Sequence, residues 1–487
     1  MNYLFYIITF LAAGAVLIVP IRFKRKLRLD FFTKQTQKIV ASQKNAFFSS
    51  FVIYQAVRIA LMHHNKKLID FLMSGNTQKA FSLLKNYSPV YALLLSGFTN
   101  LKSAIRQMKA LLKKNPTNSE YAAWLALLYE AQGDKCKAQV AWDNVQFKKI
   151  SPYLKAQHQA YLARTALKNG DLEFASKLFY QAAGLFNKSQ SFYEEAQIYL
   201  YLGTVYRVSF LYDVAETLFL SALKNFQTLK FEEGIAKTYA NLGILMTGQE
   251  RFEEADNYLN KSLKISENIQ SPFAIAEIQD QLALLYLLQK DNKNALQYLQ
   301  SAKKIHTSLK NKQGLAFNAD LTANLHWQKG DFENAAVQAQ KAACLYAESD
   351  NISGHLDSLY LQAQSLFKLG DDKTAESVLR KIVTQGKQDC GCFYLANAYN
   401  LLGIIFMKRK DLRRAKGLFQ QSLDLEQRGV RLNALAADYV NIGLVELYRG
   451  YTEEALKNLK IAFDFAKQIE DETLCTQIQK QMDKISN

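Results

Sequence analysis

The sequence predicts an all-α solenoid of antiparallel helix pairs, and two series of small residues carry that prediction. Ala163, Gly203, Gly243, Ala283, Ala323, Ala363, Gly403 and Gly443 follow one another at a constant step of forty. Twelve places after each comes an alanine: Ala175, Ala215, Ala255, Ala295, Ala335, Ala375, Ala415 and Ala455. A third series fixes the element type. Four places past the alanine stands Phe179, Phe219, Leu259, Leu299, Leu379, Phe419 or Leu459, with Ala339 the departure. Three further on the position is small again, as Ala182, Ala222, Ser262, Ala302, Ala342, Ser422 and Ala462, with Ile382 the exception. Residues three and four apart share one face of a helix. Turn signals such as Gly170-Asp171, Gly330-Asp331, Gly370-Asp371 and Gly450-Tyr451 separate the two clusters of each unit. Each unit therefore reads as a helix A and a helix B, whose small residues let the backbones approach while the large residue fills the space beside them.

These units resemble tetratricopeptide repeats. The family pattern of an aromatic, Leu-Gly, a second aromatic, then alanine and a large apolar residue is met by Tyr199, Leu202, Gly203, Tyr206, Ala215 and Phe219. Tyr239, Leu242, Gly243, Met246, Ala255 and Leu259 match nearly as well, while His326 and Glu446 stand where the second aromatic belongs. The usual period is about 34 residues, and slightly longer helices absorb the extra length. The resemblance implies a right-handed superhelix that grips peptides on a surface lined by helix A.

Glycine and proline are scarce, at 21 and 5 of 487 residues, which suits continuous helix. The net charge of +17 is concentrated: residues 1–118 hold 18 lysines and arginines against Asp30 and Asp70, whereas the rest holds 43 basic and 42 acidic side chains. Residues 3–21 form 19 positions without a charge, long enough to span a bilayer as a helix. Arg22, Lys24, Arg25, Lys26 and Arg28 follow at once. A cleaved signal carries its charge before the apolar run, so residues 1–21 read as an uncleaved transmembrane anchor. Positive flanks stay inside, so the N-terminus is expected outside and the repeats in the cytoplasm, with a bacterial inner membrane as the setting. One N-terminal span followed by cytoplasmic repeats is also the layout of a bacterial envelope-assembly adaptor. Residues 22–67 read as a basic juxtamembrane helical segment, with Phe47, Phe48, Phe51, Val52, Ala56, Ile59 and Leu61 suiting an interfacial helix among anionic headgroups. A second span and a first solvated solenoid helix are the alternatives. Residues 68–155 hold divergent units, marked by Ala80, Leu84, Ala92, Ala104, Met108, Ala126, Ala138 and Trp142. The regular units occupy 156–470, and 471–487 reads as a capping helix.

No phosphate loop, nucleophile elbow or metal-helix motif occurs, and no enzyme or cofactor is expected. The five cysteines, Cys136, Cys344, Cys390, Cys392 and Cys475, give no disulfide framework. Cys390 and Cys392 lack the second pair that a structural zinc site needs.

Relative to the small residue on helix A, positions three before, one after and four after share a stripe. In the middle units this stripe is polar and aromatic, and it gives a candidate peptide-binding groove of Asp280, Asp320, Asn324, Trp327, Tyr360, Gln364, Phe367 and Asn400. Relatives that clamp a terminal carboxylate use basic residues and asparagine there. Asp280 and Asp320 point instead to a basic or amphipathic protein segment. The function expected is a membrane-anchored cytoplasmic scaffold for protein partners. The alternatives are a peptide- or ligand-sensing regulator and, for the basic quarter, RNA binding, against which adjacency to a membrane span argues.

Overall fold

The computed structural model describes residues 67, 77–86, 93–94, 100–189, 191–388, 392–429 and 431–486. They fall into two compact units, Met1–Gln270 and Ser271–Asn487. The apolar stretch 3–21, its flank of Arg22, Lys24, Arg25, Lys26 and Arg28, and the aromatic band after it lie outside the described residues, as do Ala92 and Cys390. Among the described residues there is no strand, and no helix is long and apolar enough to cross a membrane.

The first unit runs α1 (Thr77–Leu84), α2 (Leu101–Lys114), α3 (Ser119–Gln132), α4 (Lys135–Asp143), a 3-10 turn (Phe147–Lys149), α5 (Pro152–Lys168), α6 (Leu172–Lys188), α7 (Phe192–Val208), α8 (Tyr212–Leu229), α9 (Glu232–Gly248) and α10 (Phe252–Asn268). The second runs α11 (Pro272–Leu288), α12 (Asn292–Ser308), α13 (Lys312–Gln328), α14 (Phe332–Glu348), α15 (Ile352–Lys368), α16 (Asp372–Gln388), α17 (Cys392–Lys408), α18 (Leu412–Gly429), α19 (Leu432–Tyr448), α20 (Thr452–Gln468) and α21 (Glu472–Ser486). In the divergent region Leu84, Ala104, Met108, Ala126, Ala138 and Trp142 are all buried. The Trp142 indole N–H donates to Glu130 Oε1 at 2.8 Å, and Arg164 pairs with the same carboxylate at 2.9 Å. At the other end Ile478 of α21 packs on Leu459, Ala462 and Ala466 of α20 and covers their apolar face.

The constant step of the repeat has a simple origin. Helices of one length, such as α5, α6, α7 and α9, alternate with short turns of nearly constant size. From Gly170 onward each described turn has one left-handed residue, and these stand at multiples of half the repeat: Gly170, Phe210, Lys230, Glu250, Gln270, Lys290, Lys310, Gly330, Asp350, Gly370, Lys410, Gly450 and Glu470. The next residue donates its N–H five places back, as Asp171 to Ala166 at 3.0 Å and Leu211 to Tyr206 at 2.9 Å. This closing bond belongs to the Schellman motif, and it satisfies a carbonyl that the helix end would otherwise leave open. Glycine takes that conformation freely; a residue with a Cβ takes it at about 1 kcal/mol or more.

Phe210 is the least expected of these residues, with φ 59° and 76 % of its surface exposed. Phe210→Gly is expected to stabilise the α7–α8 hairpin by about 1 kcal/mol, because it relieves the backbone while giving up little buried surface. Slower amide exchange across α7 and α8 would register the gain; faster exchange would show that the contact of Phe210 with Tyr212, 6.1 Å between centroids, outweighs the strain.

The seam between helices A and B is closed where the small residues stand. Ala175, Ala215, Ala255, Ala295, Ala335, Ala375, Ala415 and Ala455 are wholly buried. A Cβ at Gly203 would lie within 2.8 Å of three atoms of the Phe219 ring, and one at Gly243 2.6 Å from Leu259. The large residue on helix B therefore sits directly on the backbone of helix A. A second close approach joins successive hairpins of the same unit. The helix B side chains Phe226, His306 and Tyr346 lie against Gly234, Gly314 and Gly354, each eight places further on in the next helix A, where a Cβ would come within 2.8 Å.

Candidate functional site

The helix A stripe is not one surface. Its first position, three places before the small residue, lies in the seam between successive A helices. Asp280 of α11 accepts from Asn318 Nδ2 of α13 at 2.7 Å, Asp320 of α13 from the Ser358 hydroxyl of α15 at 3.2 Å, and Asn400 of α17 donates to Asp438 of α19 at 2.5 Å. Each pair is 38 residues apart, one repeat less two residues.

Asp280 departs furthest from the expected groove: it is 1 % exposed and forms part of a closed network. Its Oδ2 lies 2.9 Å from Nε2 of His306, which is itself fully buried. Asn311 Oδ1 accepts from the Gly314 N–H at 3.1 Å, which turns its amide nitrogen toward His306 Nδ1, also at 3.1 Å. The amide nitrogen can only donate, so Nδ1 accepts and the ring proton sits on Nε2, aimed at Asp280. Asn318 also donates to the Leu299 carbonyl at 3.0 Å. The carboxylate holds three helices together and is closed to a ligand.

Asp320, Asn324, Trp327, Tyr360, Gln364, Phe367 and Asn400 are half-buried. Burial pushes the Asp320 carboxyl up to about 6, with a further upward push from the nearby Asp357. Asp357, although exposed at the surface, is itself raised by partial desolvation, and Tyr394 of α17 donates to it at 3.2 Å. The Tyr394 hydroxyl also lies 2.6 Å from that of Ser353. Thus α13, α15 and α17 bring two carboxylates together on one side, and no basic side chain is among the causes acting on either. The aromatic members are partly engaged. Trp327 packs edge-on against Phe332 at 5.0 Å, and the Lys408 ammonium stands 5.4 Å over the Phe367 ring while pairing with Asp372 at 2.9 Å. Asn324 spends its amide on the Asp320 backbone carbonyl at 2.9 Å.

The two motif departures have local explanations. His326 Nδ1 meets Asp331 Oδ2 at 2.8 Å, and the buried Glu446 pairs with Lys416 and, at 3.2 Å, with Arg449. Polar side chains replace the aromatic where ionic partners satisfy them. Sequence reasoning missed His306, Asn311 and Asn318. The signal available was register: His306 occupies the helix B place of Phe186, Phe226 and Tyr346, eight places before a glycine in three of the four cases.

Residues 194–268, which span the two best-matching hairpins, match the family model for the tetratricopeptide repeat. Within residues 194–268 the chain carries tetratricopeptide repeats. No curated protein matches the sequence. Among solved structures, the apo form of RapI is 13% identical, covering 57% of this chain and 99% of that one, with a TM-score of 0.45. The apo form of the quorum sensor NprR from B. thuringiensis is 15% identical over 71% of this chain and 98% of that one, with a TM-score of 0.48. A Rap protein complexed with competence and sporulation factor is 13% identical over 78% and 98%, also at 0.48. The likeness to these three is one of fold alone.

Proposed function

We propose that this tetratricopeptide repeat protein is a membrane-anchored cytoplasmic scaffold that takes up a basic or amphipathic segment of a protein partner along helix A of α13, α15 and α17. The observation that carries the reading is the Asp320 and Asp357 pair, two raised carboxyls beside half-buried aromatic side chains. A cationic segment would stabilise their ionised forms, and Trp327, Tyr360 and Phe367 would supply apolar anchors. Catalysis has no comparable support. Residues 3–21 and the basic flank support anchoring by sequence alone.

The test uses the full chain and a cationic amphipathic peptide, compared with its charge-reversed counterpart. Affinity should rise from pH 5 to pH 7.5, because below about 6 Asp320 is protonated and offers the cation no charge. Asp320→Asn should weaken binding about tenfold at pH 7.5, as loss of a partly buried charge contact does, and flatten that pH dependence. The same variant should be more stable than the parent at pH 7.5, with the gain shrinking as pH falls below about 6 and gone only below the ordinary 3.8. The folded pKa lies above the ordinary 3.8, so the folded state holds the extra proton between these values and loses stability as pH rises through about 6. Equal binding of both peptides would overturn the site. A reporter fused to the C-terminus should lie in the cytoplasm, and neutralising Arg22, Lys24, Arg25, Lys26 and Arg28 should weaken that orientation; an external reporter in the parent chain would overturn the anchor.

A further inference from the structure

The α9–α10 hairpin contains a cluster that the α11–α12 hairpin lacks, and the difference describes a ligand. In the former Tyr239 and Tyr258 stack at 6.0 Å between centroids, and the Lys261 ammonium stands over both rings, at 5.8 and 5.5 Å. One repeat on, the same places hold Gln279, Tyr298 and Ser301. One ring and the cation are gone. A second tyrosine, Tyr286, replaces Met246 and stacks on Tyr298 at 5.7 Å with the planes 5° apart. Beside this pair is a cavity of about 200 Å³ lined by Gln279, Tyr286, Asn294, Gln297, Tyr298 and Ser301. The Gln279 Oε1 atom is buried and finds no hydrogen-bond partner among the described residues.

We propose that this pocket binds the guanidinium of an arginine side chain presented by a partner protein. A cation over the tyrosine faces would restore the electrostatics that Lys261 supplies within its own hairpin. The orphaned Gln279 carbonyl can only accept, so the group that completes it must be an N–H or O–H donor. A guanidinium meets both demands at once: it is planar, stacks on aromatic faces and carries five donors in a fixed fork. Among the described residues no carboxylate lines the cavity, so recognition rests on the rings and neutral acceptors. The pocket uses helix A positions four before and three after the small residue, a different face from the Asp320 stripe, and does not depend on the function proposed above.

The experiment titrates the full chain with N-acetyl-arginine amide, N-acetyl-lysine amide and N-acetyl-citrulline amide, following tyrosine ring resonances. Citrulline has the shape of arginine without the charge. Arginine amide should bind saturably and about tenfold more tightly than citrulline amide, the scale of a partly desolvated cation–π contact, with lysine amide between them. Tyr298→Leu should remove binding. Ser301→Lys, which installs the counterpart of Lys261, should fill the pocket and weaken arginine binding at least tenfold while the hairpin stays folded. Asp320→Asn should leave this binding untouched, so that this inference and the proposed function fail separately. Equal affinity for citrulline and arginine, no saturable binding, or unchanged binding in Ser301→Lys would each overturn the proposal.

Discussion

Asp280→Ala is expected to destabilise the second unit by about 2 to 4 kcal/mol, since two buried donors lose their acceptor at about 1 to 3 kcal/mol each. The substitution strands two donors, the His306 Nε2–H and the Asn318 amide, at sites where His306 and Asn318 are 0 % and 2 % exposed. Asn318 keeps its bond to the Leu299 carbonyl, whereas His306 keeps only the contact from Asn311. The chain itself contains the apolar solution. In the α7–α8 hairpin the corresponding places are Leu200 and Phe226, and Gly234 admits the ring just as Gly314 admits His306. Asp280→Leu combined with His306→Phe should therefore recover most of the loss. Urea unfolding together with amide exchange in α11, α12 and α13 would measure both. A cost under about 1 kcal/mol for Asp280→Ala would mean that water reaches the stranded groups.

The pairing of helices was legible in the sequence because packing two backbones closely leaves a mark that cannot be disguised. A position such as Gly203 or Ala215 must be small in every repeat, whatever else varies. The length of the helices was legible only in outline. Where each helix stops is encoded by left-handed turn residues, and most of these, such as Lys230, Lys290 and Lys410, are not glycine. A turn that accepts lysine gives no compositional signal.

The groove was legible as a stripe but not as a surface. Helical spacing says that Asp280, Leu284 and Leu287 share a side of α11; it does not say which flank of that side meets the neighbouring A helix. Composition could not decide it, because polar residues across a seam satisfy one another as well as water would. Asp280 with Asn318 and Asn400 with Asp438 look hydrophilic in sequence, and yet Asp280, Asn318 and Asp438 are all buried. The information lay in comparing repeats two at a time. The apolar Ala240 is matched 38 places on by the apolar Ile278, and the acidic Asp280 and Asp320 by the polar Asn318 and Ser358, although the apolar Leu200 is matched by Thr238. Asp320 accepts from the short Ser358 across the seam and is only half-buried.

Phe219→Ala should cost the α7–α8 hairpin about 3 to 5 kcal/mol, as large-to-small changes at fully buried aromatics do. The ring is 0 % exposed and lies on the backbone at Gly203, which has no side chain of its own to fill the hole. Gly203→Leu alone should also destabilise, because its Cβ would start within 2.8 Å of three atoms of that ring. That overpacking costs about 1 to 3 kcal/mol, offset only in part by the gain of about 1 kcal/mol on removing glycine from a helix. Together the two changes move the missing volume from one side of the seam to the other. The double variant should be at least about 2 kcal/mol more stable than the sum of the single effects, a coupling expected only of residues in direct contact. Because a repeat contacts its neighbours alone, the losses should appear as faster amide exchange in α7 and α8, with α13 and α14 unchanged. Strict additivity of the two substitutions would show that Gly203 is small for some reason other than the ring of Phe219.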